Sequence, residues 1–430
     1  MDTRLNTHKE ADDLFMLGQN YEGLNRFEEA VKEYRKSLET EFRRETAIRL
    51  IQLCRVMGED KIIEEQATLY LKRVPEDDIF FRNILLNELE MAQKKIVLSS
   101  KIRSFTITLT NKCNLACHAC EARNYKWQMS EDTIKEIMEY FPYLEYIMWQ
   151  GGEVFLMDYF SDVLEQVRRY PQIKNLIVTN AMLLPEATIE RLVRLPELVL
   201  AISVDGTTKD VYEGIRNGAS FDRLIENINL LNKLRRSYNS NTRLHLNVTV
   251  MKSNYHQLLD FVEFAREYGF YSVLLRPVQG NFNSPENIFV NCDQEALGFI
   301  NNNISEVIER SKNYQIILDN RIPYSAPGQL KPTPEKDKKE PRANHLKLLC
   351  YAPWQRLYIS WDGNVYPDCM CVWPPDDGIG NVKRNSINEI WNNEGMQTYR
   401  KRMIAYDYRD ICSKDCVCGN IPERYLLFNK

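Results

Sequence analysis

The sequence has little that would place the chain in a membrane, in a secretory pathway or on nucleic acid. No stretch approaches the roughly 18 uninterrupted apolar residues that a membrane-spanning helix needs. The first residues, MDTRLNTHKEADD, lack the apolar centre of a secretory signal peptide. The formal net charge is only −4, which gives no overall attraction to a polyanion. We therefore expect a cytoplasmic protein whose partners include neither a membrane nor a nucleic acid.

Histidine is scarce, whereas cysteine is plentiful. None of the five histidines stands where it would pair with a nucleophile, so a hydrolytic triad has no support. Of the eleven cysteines, nine fall into two tight groups. In a reducing compartment thiols rarely form disulfides, and such grouping favours metal binding.

Residues 1–100 carry helical periodicity and no convincing strand. One part of this region has apolar and small residues at the spacings of a tetratricopeptide repeat, namely Leu14, Leu17, Gly18, Tyr21, Ala30 and Tyr34. A weaker second copy consists of Ala47, Leu50, Cys54, Ala67 and Pro75. The alternative is an ordinary helical hairpin. Both interpretations predict a role in packing or partner binding and not in chemistry.

Residues 101–325 alternate between strands and helices. The predicted strands lie at 105–110, 146–151, 175–180, 199–205, 243–250 and 272–279. The clearest helices between them are 221–236 and 254–268. Such alternation predicts a parallel α/β fold, either an open doubly wound sheet or a partial barrel.

Two further regions follow the strands and helices. Residues 326–345 are so rich in proline and charge that they cannot form a packed core, and we predict a linker or mobile loop. Residues 346–430 hold six of the eleven cysteines. We expect this last region to form a small Cys-rich α+β domain.

Three thiols directly follow the first predicted strand, in LTNKCNLACHACEAR. Cys113, Cys117 and Cys120 therefore lie on a loop at the carboxyl end of the sheet, where such folds place active sites. A structural zinc site normally has four ligands, often in two C-x2-C or C-x2-H pairs, which this loop lacks. Three thiolates suit a cubane iron–sulfur cluster whose fourth iron is open to a ligand.

The spacing C-x3-C-x2-C after a strand resembles the signature of the radical S-adenosylmethionine (SAM) superfamily; a zinc site is the alternative. The resemblance implies a partial (β/α)6 TIM-type barrel that binds SAM at the open iron of a [4Fe–4S] cluster. It also implies that an external one-electron donor, such as flavodoxin or ferredoxin, reduces this cluster. SAM would then be cleaved to methionine and a 5′-deoxyadenosyl radical, which abstracts hydrogen from a substrate C–H bond.

Later strand ends extend the resemblance. In WQGGEVF, the residues Gly151, Gly152 and Glu153 resemble the GGE motif that holds the methionine amino group in this superfamily. Glycines allow close backbone approach, and a carboxylate offsets an ammonium charge. Further residues would contact the methionine carboxylate or the ribose, or face the same cavity: Thr179, Asn180, Ser203, Asp205, Arg216, Asn247 and Arg276.

Two positions depart from the superfamily pattern. Ala119 stands where an aromatic residue often precedes the third cysteine, and Val154 stands where proline often follows the glutamate. These departures bear on the contact with adenine and not on the cluster.

The carboxyl-terminal region, with DGNVYP and SINEIW, resembles the SPASM and twitch domains, which bind auxiliary iron–sulfur clusters. A full SPASM domain usually has seven or so cysteines, and this region has six: Cys350, Cys369, Cys371, Cys412, Cys416 and Cys418. We therefore expect at least one auxiliary [4Fe–4S] cluster. Two clusters completed by residues such as Asp368 or Asp415 are an alternative, and so is a structural zinc.

The resemblance predicts an enzyme that modifies its substrate by oxidation or cross-linking. The amino-terminal helices favour a ribosomally made peptide or protein as that substrate, because repeat helices offer grooves for extended or helical segments. One alternative is a dehydrogenase or epimerase of a sugar or another small molecule. For an epimerase Cys292 could donate hydrogen to a substrate radical, although it could equally be a buried loop cysteine. A non-catalytic iron–sulfur electron carrier or scaffold is the remaining alternative, and it would not need the Glu153, Ser203 and Asp205 set.

Overall fold

The computed structural model describes residues 2–120, 127–278, 284–324, 349–367 and 378–407. The chain begins with an all-helical region, as the sequence predicts. Its helices α1 to α5 span Asp2–Gly23, Phe27–Thr40, Arg44–Met57, Asp60–Leu71 and Ile79–Ala92. No helix in the described part of the chain is long and apolar enough to cross a membrane.

Helices α1 and α2 form a tightly packed hairpin. A Cβ atom on Gly18 would lie 2.5 Å from Cε1 of Tyr34, so only glycine allows the Tyr34 ring this close to α1. Ala30 and Tyr34 are completely buried, and the Tyr34 hydroxyl donates to Glu22 at 2.8 Å. These contacts explain the spacing noted in the sequence, whereas its assignment to a tetratricopeptide repeat stays a prediction.

The remainder of the chain is built on one sheet with the strand order β10-β9-β8-β1-β2-β3-β4-β5-β6-β7. Pairing is parallel from β8 through β7 and antiparallel between β8, β9 and β10. In chain order, the strands are Ser104–Thr110, Tyr146–Gly151, Lys174–Thr179, Leu198–Ser203, Arg243–Val250, Ser272–Pro277, Ile317–Asn320, Arg356–Ile359, Asn364–Pro367 and Gly380–Asn381.

Helices follow most of the parallel strands, as expected for a barrel-type α/β fold. Helices α6 to α12 span Glu131–Met138, Phe160–Val167, Glu186–Val193, Lys209–Ile215, Phe221–Ser237, Asp260–Glu267 and Gln294–Asn313. After β7 come α13 to α15, which span Ala352–Gln355, Ile387–Asn392 and Glu394–Ile404. The predicted fold class, a partial TIM-type barrel, is confirmed, as are all six predicted strands to within two residues.

The carboxyl-terminal region joins the barrel sheet. Strand β8 pairs in parallel with β1, with Ser104 opposite Arg356 and Ile107 opposite Ile359. The hairpin of β8 and β9 therefore extends the barrel sheet beyond its first strand. The sequence predicts a small separate domain here and does not indicate this continuity.

The two faces of the sheet differ in burial. Side chains under the helices, such as Phe105, Ile107 and Trp149, are completely buried. Several side chains on the opposite face, such as Gln150 and Leu274, are only half-buried. This second face lines the inside of the partial barrel.

Arg400 ties α15 to the segment that precedes β1. Its guanidinium donates to the backbone oxygens of Ile96, Pro353 and Trp391 at 2.8–3.0 Å, and its Cζ lies 4.5 Å from the centre of the Trp391 ring. The Trp391 indole donates in turn to the Ser100 oxygen at 2.9 Å. The amino-terminal helices, the barrel and the carboxyl-terminal helices are thus joined through buried polar contacts.

Candidate functional site

The loop that carries Cys113, Cys117 and Cys120 (the thiol loop) begins at the carboxyl end of β1, and hydrogen bonds hold its base. The backbone of Asn111 donates to the Trp127 oxygen at 3.2 Å, and the Trp127 backbone donates to Asn111 Oδ1 at 2.7 Å. The Thr110 hydroxyl also donates to the Trp127 oxygen, at 2.6 Å. Both ends of the loop are therefore held beside the last residues of the strand.

The three predicted thiols are half-buried on this loop. Cys113 Sγ accepts from the Leu115 backbone at 3.5 Å and lies 3.7 Å from Nδ2 of Asn180. Burial raises the pKa of Cys113, and it raises the pKa of Cys117 to about 11. N–H groups directed at a sulfur are the kind of contact that supports a cluster thiolate.

The loop also lies against the end of α9. The Ala116 backbone donates to the Asn217 oxygen at 2.9 Å, and the His118 backbone donates to the Ile215 oxygen at 3.0 Å. Within the described ranges, no three His, Cys, Asp or Glu side chains stand close enough to hold one metal ion. Three thiols on one anchored loop nevertheless fit a cluster with three protein ligands better than a four-ligand zinc site.

The two glycines after β2 pack against the base of the thiol loop. A Cβ on Gly151 would lie 2.2 Å from the Thr110 oxygen, and one on Gly152 would lie 2.1 Å from the Lys112 oxygen. Gly151 also has a backbone φ of +147°, which residues with a side chain rarely adopt. The glycines are thus needed to bring the end of β2 against the thiol loop.

Glu153 is completely buried and its carboxylate is well supplied with donors. It accepts from the Thr179 hydroxyl at 2.9 and 3.0 Å, from the Asn180 backbone at 2.8 Å and from the Phe155 backbone at 3.3 Å. Burial raises the pKa of Glu153 to about 7. The Glu153 carboxyl group therefore organises the ends of β2 and β3 beside the thiol loop.

Asp205 and Arg216 form a buried ion pair of 2.7 Å beyond β4. Asp205 also accepts from the Thr249 backbone at 2.8 Å, and its backbone oxygen accepts from Asn254 at 2.9 Å. Nε of Arg216 is buried and has no hydrogen-bond partner in the part of the chain described. The aspartate is thus engaged, while the arginine keeps one donor for a ligand.

Ser203, Asn247 and Arg276 face the inside of the barrel on neighbouring strands. Ser203 on β4 lies opposite Asn247 on β5. Thr249, two residues after Asn247, lies opposite Arg276 on β6. Oδ1 of Asn247 is buried without a hydrogen-bond partner among the described residues. Burial lowers the pKa of Arg276. Unused polar groups of this kind are what a polar ligand in the barrel would need.

Cys292 is exposed, on the loop before α12. Its backbone is left-handed, with φ +51°, and its thiol lies 3.9 Å from the backbone oxygens of Phe289 and Val290. The alternative of a buried loop cysteine is therefore wrong, and a role as hydrogen donor stays a prediction.

Of the carboxyl-terminal cysteines, the structure describes Cys350, which is buried. The other predicted ligands of that region lie outside the described residues, as do Asp368, Asp415 and the predicted linker 326–345; these ligands are Cys369, Cys371, Cys412, Cys416 and Cys418.

Sequence reasoning missed three residues that shape the site. Asn254 is completely buried; its side-chain amide donates to the oxygens of Asp205 and Thr249, and its Oδ1 accepts from the Met251 backbone. Asn114 accepts from Asn180 at 2.9 Å, and Ala181 adopts φ +61° in the turn after β3. An Asn shortly after a buried strand was the available signal for Asn254, whereas nothing in the sequence marks Ala181.

Two family models match the chain. Residues 107–265 match the radical SAM superfamily, and residues 350–417 match SPASM, an iron–sulfur cluster-binding domain. The first match runs from within β1 to within α11 and includes the thiol loop. The second begins at Cys350.

Curated relatives match less than half of this chain. A probable GTP 3′,8-cyclase of Methanocaldococcus jannaschii is 27% identical over 176 residues, which are 39% of this chain and 57% of the relative. A GTP 3′,8-cyclase of Synechocystis sp. is 24% identical over 201 residues, which are 44% of this chain and 59% of the relative. The matches thus span less than two thirds of these relatives.

Solved structures share the fold over most of the chain. Streptococcus suis SuiB is 15% identical with a TM-score of 0.54, covering 80% of this chain and 79% of that chain. SuiB bound to its precursor peptide SuiA gives a TM-score of 0.54 at 16% identity, covering 80% and 78%. A structure of anSMEcpe with bound AdoMet gives 0.50 at 15% identity, covering 74% and 87%.

Proposed function

Since this chain belongs to the radical SAM superfamily and carries an iron–sulfur cluster-binding domain at its carboxyl end, we propose that it abstracts hydrogen from a peptide or protein substrate. The cofactors of such a chain are SAM, a [4Fe–4S] cluster and auxiliary iron–sulfur clusters. When bound, the reduced cluster supplies an electron that cleaves SAM and so provides a radical able to remove hydrogen from a C–H bond.

The observation that carries this proposal is the thiol loop held beside buried polar groups from β2 to β6. Cys113, Cys117 and Cys120 would hold the cluster with one iron left open. The Leu115 backbone and the Asn180 amide support the first of these thiols.

The residues proposed for the SAM pocket fall into two classes. Some have polar atoms that already bind other protein groups, and others have a polar atom without such a partner. Glu153 and Asp205 already accept hydrogen bonds from neighbouring residues, and Asp205 also forms an ion pair. In our proposal they therefore fix the strand ends and set the local charge. Ser203, the unpaired oxygen of Asn247 and the unpaired donor of Arg216 would contact SAM directly. Thr179, Asn180 and Arg276 would complete the wall of the pocket, and Gly151 and Gly152 would bring it close to the thiol loop.

At least one auxiliary cluster would be held by the carboxyl-terminal thiols, beginning with Cys350. Hydrogen abstraction leaves an unpaired electron on the substrate, and loss of that electron together with one proton completes the oxidation. An auxiliary cluster held by these thiols would supply the acceptor for the electron. The net result would be oxidation or cross-linking.

Two observations support a peptide substrate. The amino-terminal helices provide a packed scaffold next to the barrel of the kind that binds peptide segments in other proteins. The fold is also shared with SuiB, which has been solved with its precursor peptide.

A small-molecule substrate is the second candidate. It is favoured by the curated relatives, which are named for a reaction on GTP and match part of this chain at 24–27% identity. Under this candidate the enzyme would dehydrogenate or epimerise a nucleotide, a sugar or a similar compound.

Substrate mass separates these candidates. The chemically reduced enzyme would be incubated anaerobically with SAM and, in parallel, with peptides from its gene neighbourhood and with GTP. We expect loss of two hydrogens from a peptide. A mass increase only in deuterated solvent would indicate epimerisation, and turnover of GTP alone would contradict the peptide proposal.

Single cysteine variants test the division of labour between the two thiol groups. Cys113→Ala should abolish reductive cleavage of SAM, because the cluster with an open iron loses one of three ligands. Cys350→Ala should leave SAM cleavage largely intact and stop product formation. Cys54→Ala, at a buried helical cysteine outside both groups, is the matched control. A folded Cys113→Ala protein that still formed 5′-deoxyadenosine at the parental rate would falsify the cluster assignment.

A further inference from the structure

A buried chain of charges runs from the amino-terminal helices to the base of β1. Nε and Nη2 of Arg55, on α3, donate to Oε2 of Glu88 on α5 at 2.8 and 2.5 Å. Oε1 of Glu88 accepts from Arg103 at 2.6 Å, and Arg103 also binds Glu145 at 2.6 Å. Arg55 is 12% exposed and Glu88 4%. The position of Arg55 is thus fixed by an ion-pair network with little access to solvent.

Arg55 also contacts the segment that follows Cys350. Its Cζ lies 4.6 Å from the centre of the Tyr351 ring, a distance at which a guanidinium is attracted to an aromatic face. Nη1 of Arg55 is buried and has no hydrogen-bond partner in the described ranges. The ring is therefore the group that compensates this end of the cation.

Two further contacts hold the same segment against the helical region. Asn87, next to Glu88 on α5, donates to the Trp354 oxygen at 2.7 Å, and the Trp354 indole donates to the Lys95 oxygen at 2.7 Å. Trp354 is completely buried and meets the Tyr351 ring edge to face. The residues directly after Cys350 thus rest on α3, on α5 and on the segment that follows α5.

We propose that the amino-terminal helices position Cys350 for the auxiliary cluster, with Arg55 as the positioning residue that acts through Tyr351. This inference rests on the proposed function, in which Cys350 is a cluster ligand. Residues that orient a metal ligand matter for binding, and their mutation typically costs about 10–100-fold in metal affinity. The helical region therefore has a task in assembling the auxiliary site that is independent of the substrate it binds.

Substitutions on both sides of the contact test the inference in the reconstituted full-length enzyme. Arg55→Ala should lose half or more of the auxiliary-cluster signal in electron paramagnetic resonance, or shift it, whereas the SAM-dependent signal of the loop cluster should be unchanged. Arg55→Lys should restore part of the signal, because it keeps the charge but not the planar group. Arg49→Ala is the matched control, since Arg49 lies on the same helix and binds Glu22.

Tyr351 provides a second, independent pair of variants. Tyr351→Phe keeps the aromatic face and should behave like the parent, whereas Tyr351→Leu should reproduce the Arg55→Ala effect. If Arg55→Ala lost both cluster signals, the change would be in folding, and the Tyr351 pair would decide. Full auxiliary signal in both Arg55→Ala and Tyr351→Leu would overturn the inference alone. A parent enzyme with a single cluster would instead contradict the auxiliary part of the proposed function.

Discussion

At the scale of single residues, the site contains buried polar groups of two kinds. Glu153, Asp205 and Asn254 have partners on their own protein, so removing any of them would leave other buried groups unpaired. Asn247 Oδ1 and Arg216 Nε lack partners in the described part of the chain. Native proteins rarely leave buried polar atoms unpaired, which supports our proposal that Asn247 and Arg216 contact SAM.

Two asparagines separate these roles by mutation. Asn247→Ala should weaken SAM binding about tenfold, the loss expected for one hydrogen bond of about 1–1.5 kcal/mol, with little change in folding stability. Asn254→Ala should instead lower the free energy of unfolding by about 3 kcal/mol, because it leaves several buried backbone groups unpaired. Equilibrium dialysis with SAM and denaturant unfolding measure the two effects. Equal losses of stability in both variants would contradict a ligand role for Asn247.

The residue types at the site could be predicted from the sequence, but their partners could not. Three thiols after a strand and a Gly-Gly-Glu after the next strand are local patterns. The ion pair of Asp205 with Arg216 and the bonds of Glu153 with Thr179 are tertiary. Strand-end spacing places such groups at one edge of the sheet but does not say which of them pair with each other and which stay open to a ligand.

At the scale of elements, sequence signals identified the longer strands and missed the short ones. Strands β1 to β6 have six to eight residues, in which apolar residues either alternate with polar ones or form short runs. Both patterns are local signals of a strand. Strand β7 has only four residues, Ile317–Asn320, all half-buried. Strands β8 to β10 are no longer, and their place beside β1 depends on a pairing more than 200 residues apart in sequence, on the order of the longest separations in a domain.

The contact between the β2 end and the thiol loop is an element-scale feature that one methyl group would test. Gly152→Ala places a Cβ against the Lys112 oxygen, which belongs to the backbone and cannot rotate away. We expect a loss of stability of about 3 kcal/mol, at the upper end of overpacking effects, together with loss of SAM cleavage as the loop base shifts.

Gly298→Ala is the matched control for Gly152→Ala. Gly298 lies inside α12 with nothing within 4 Å of the added Cβ. This change should stabilise the protein by about 1 kcal/mol through helix propensity, with SAM cleavage unchanged. Thermal unfolding and 5′-deoxyadenosine formation measure both variants. Normal SAM cleavage by a Gly152→Ala protein would argue against a tight loop base.

At the scale of the whole molecule, the three regions of the chain behave as one structure. Arg400, on α15, is bonded to the segment before β1 and to α13, which directly precedes β8. The Arg55 network links the helical region to Tyr351, directly before α13. Because these contacts are buried, no region can separate from the others without exposing charged or polar groups that have lost their partners.

The Arg400→Met substitution tests whether the three regions are stabilised as a single unit. It removes the donor to three backbone oxygens from a fully buried position, so we expect a loss of about 3–5 kcal/mol in unfolding free energy. Lys401→Met, one residue further along the same helix and exposed, should change it by less than about 0.5 kcal/mol. Calorimetry should show one cooperative transition in the parent enzyme. Separate early unfolding of the helical region would count against a single unit.

The pairing of β1 with β8 also affects folding during synthesis, because the two strands leave the ribosome at different times. Strand β1 is buried along its whole length, and β8 follows it about 250 residues later in the chain. At about 5–20 residues per second, a ribosome takes roughly 12–50 s to produce that interval. Until then one edge of β1 has no strand beside it, which invites association between nascent chains. Helix α5, which carries Glu88, has already emerged by that time. The helical region can therefore bind Arg103, directly before β1, while β1 still lacks β8.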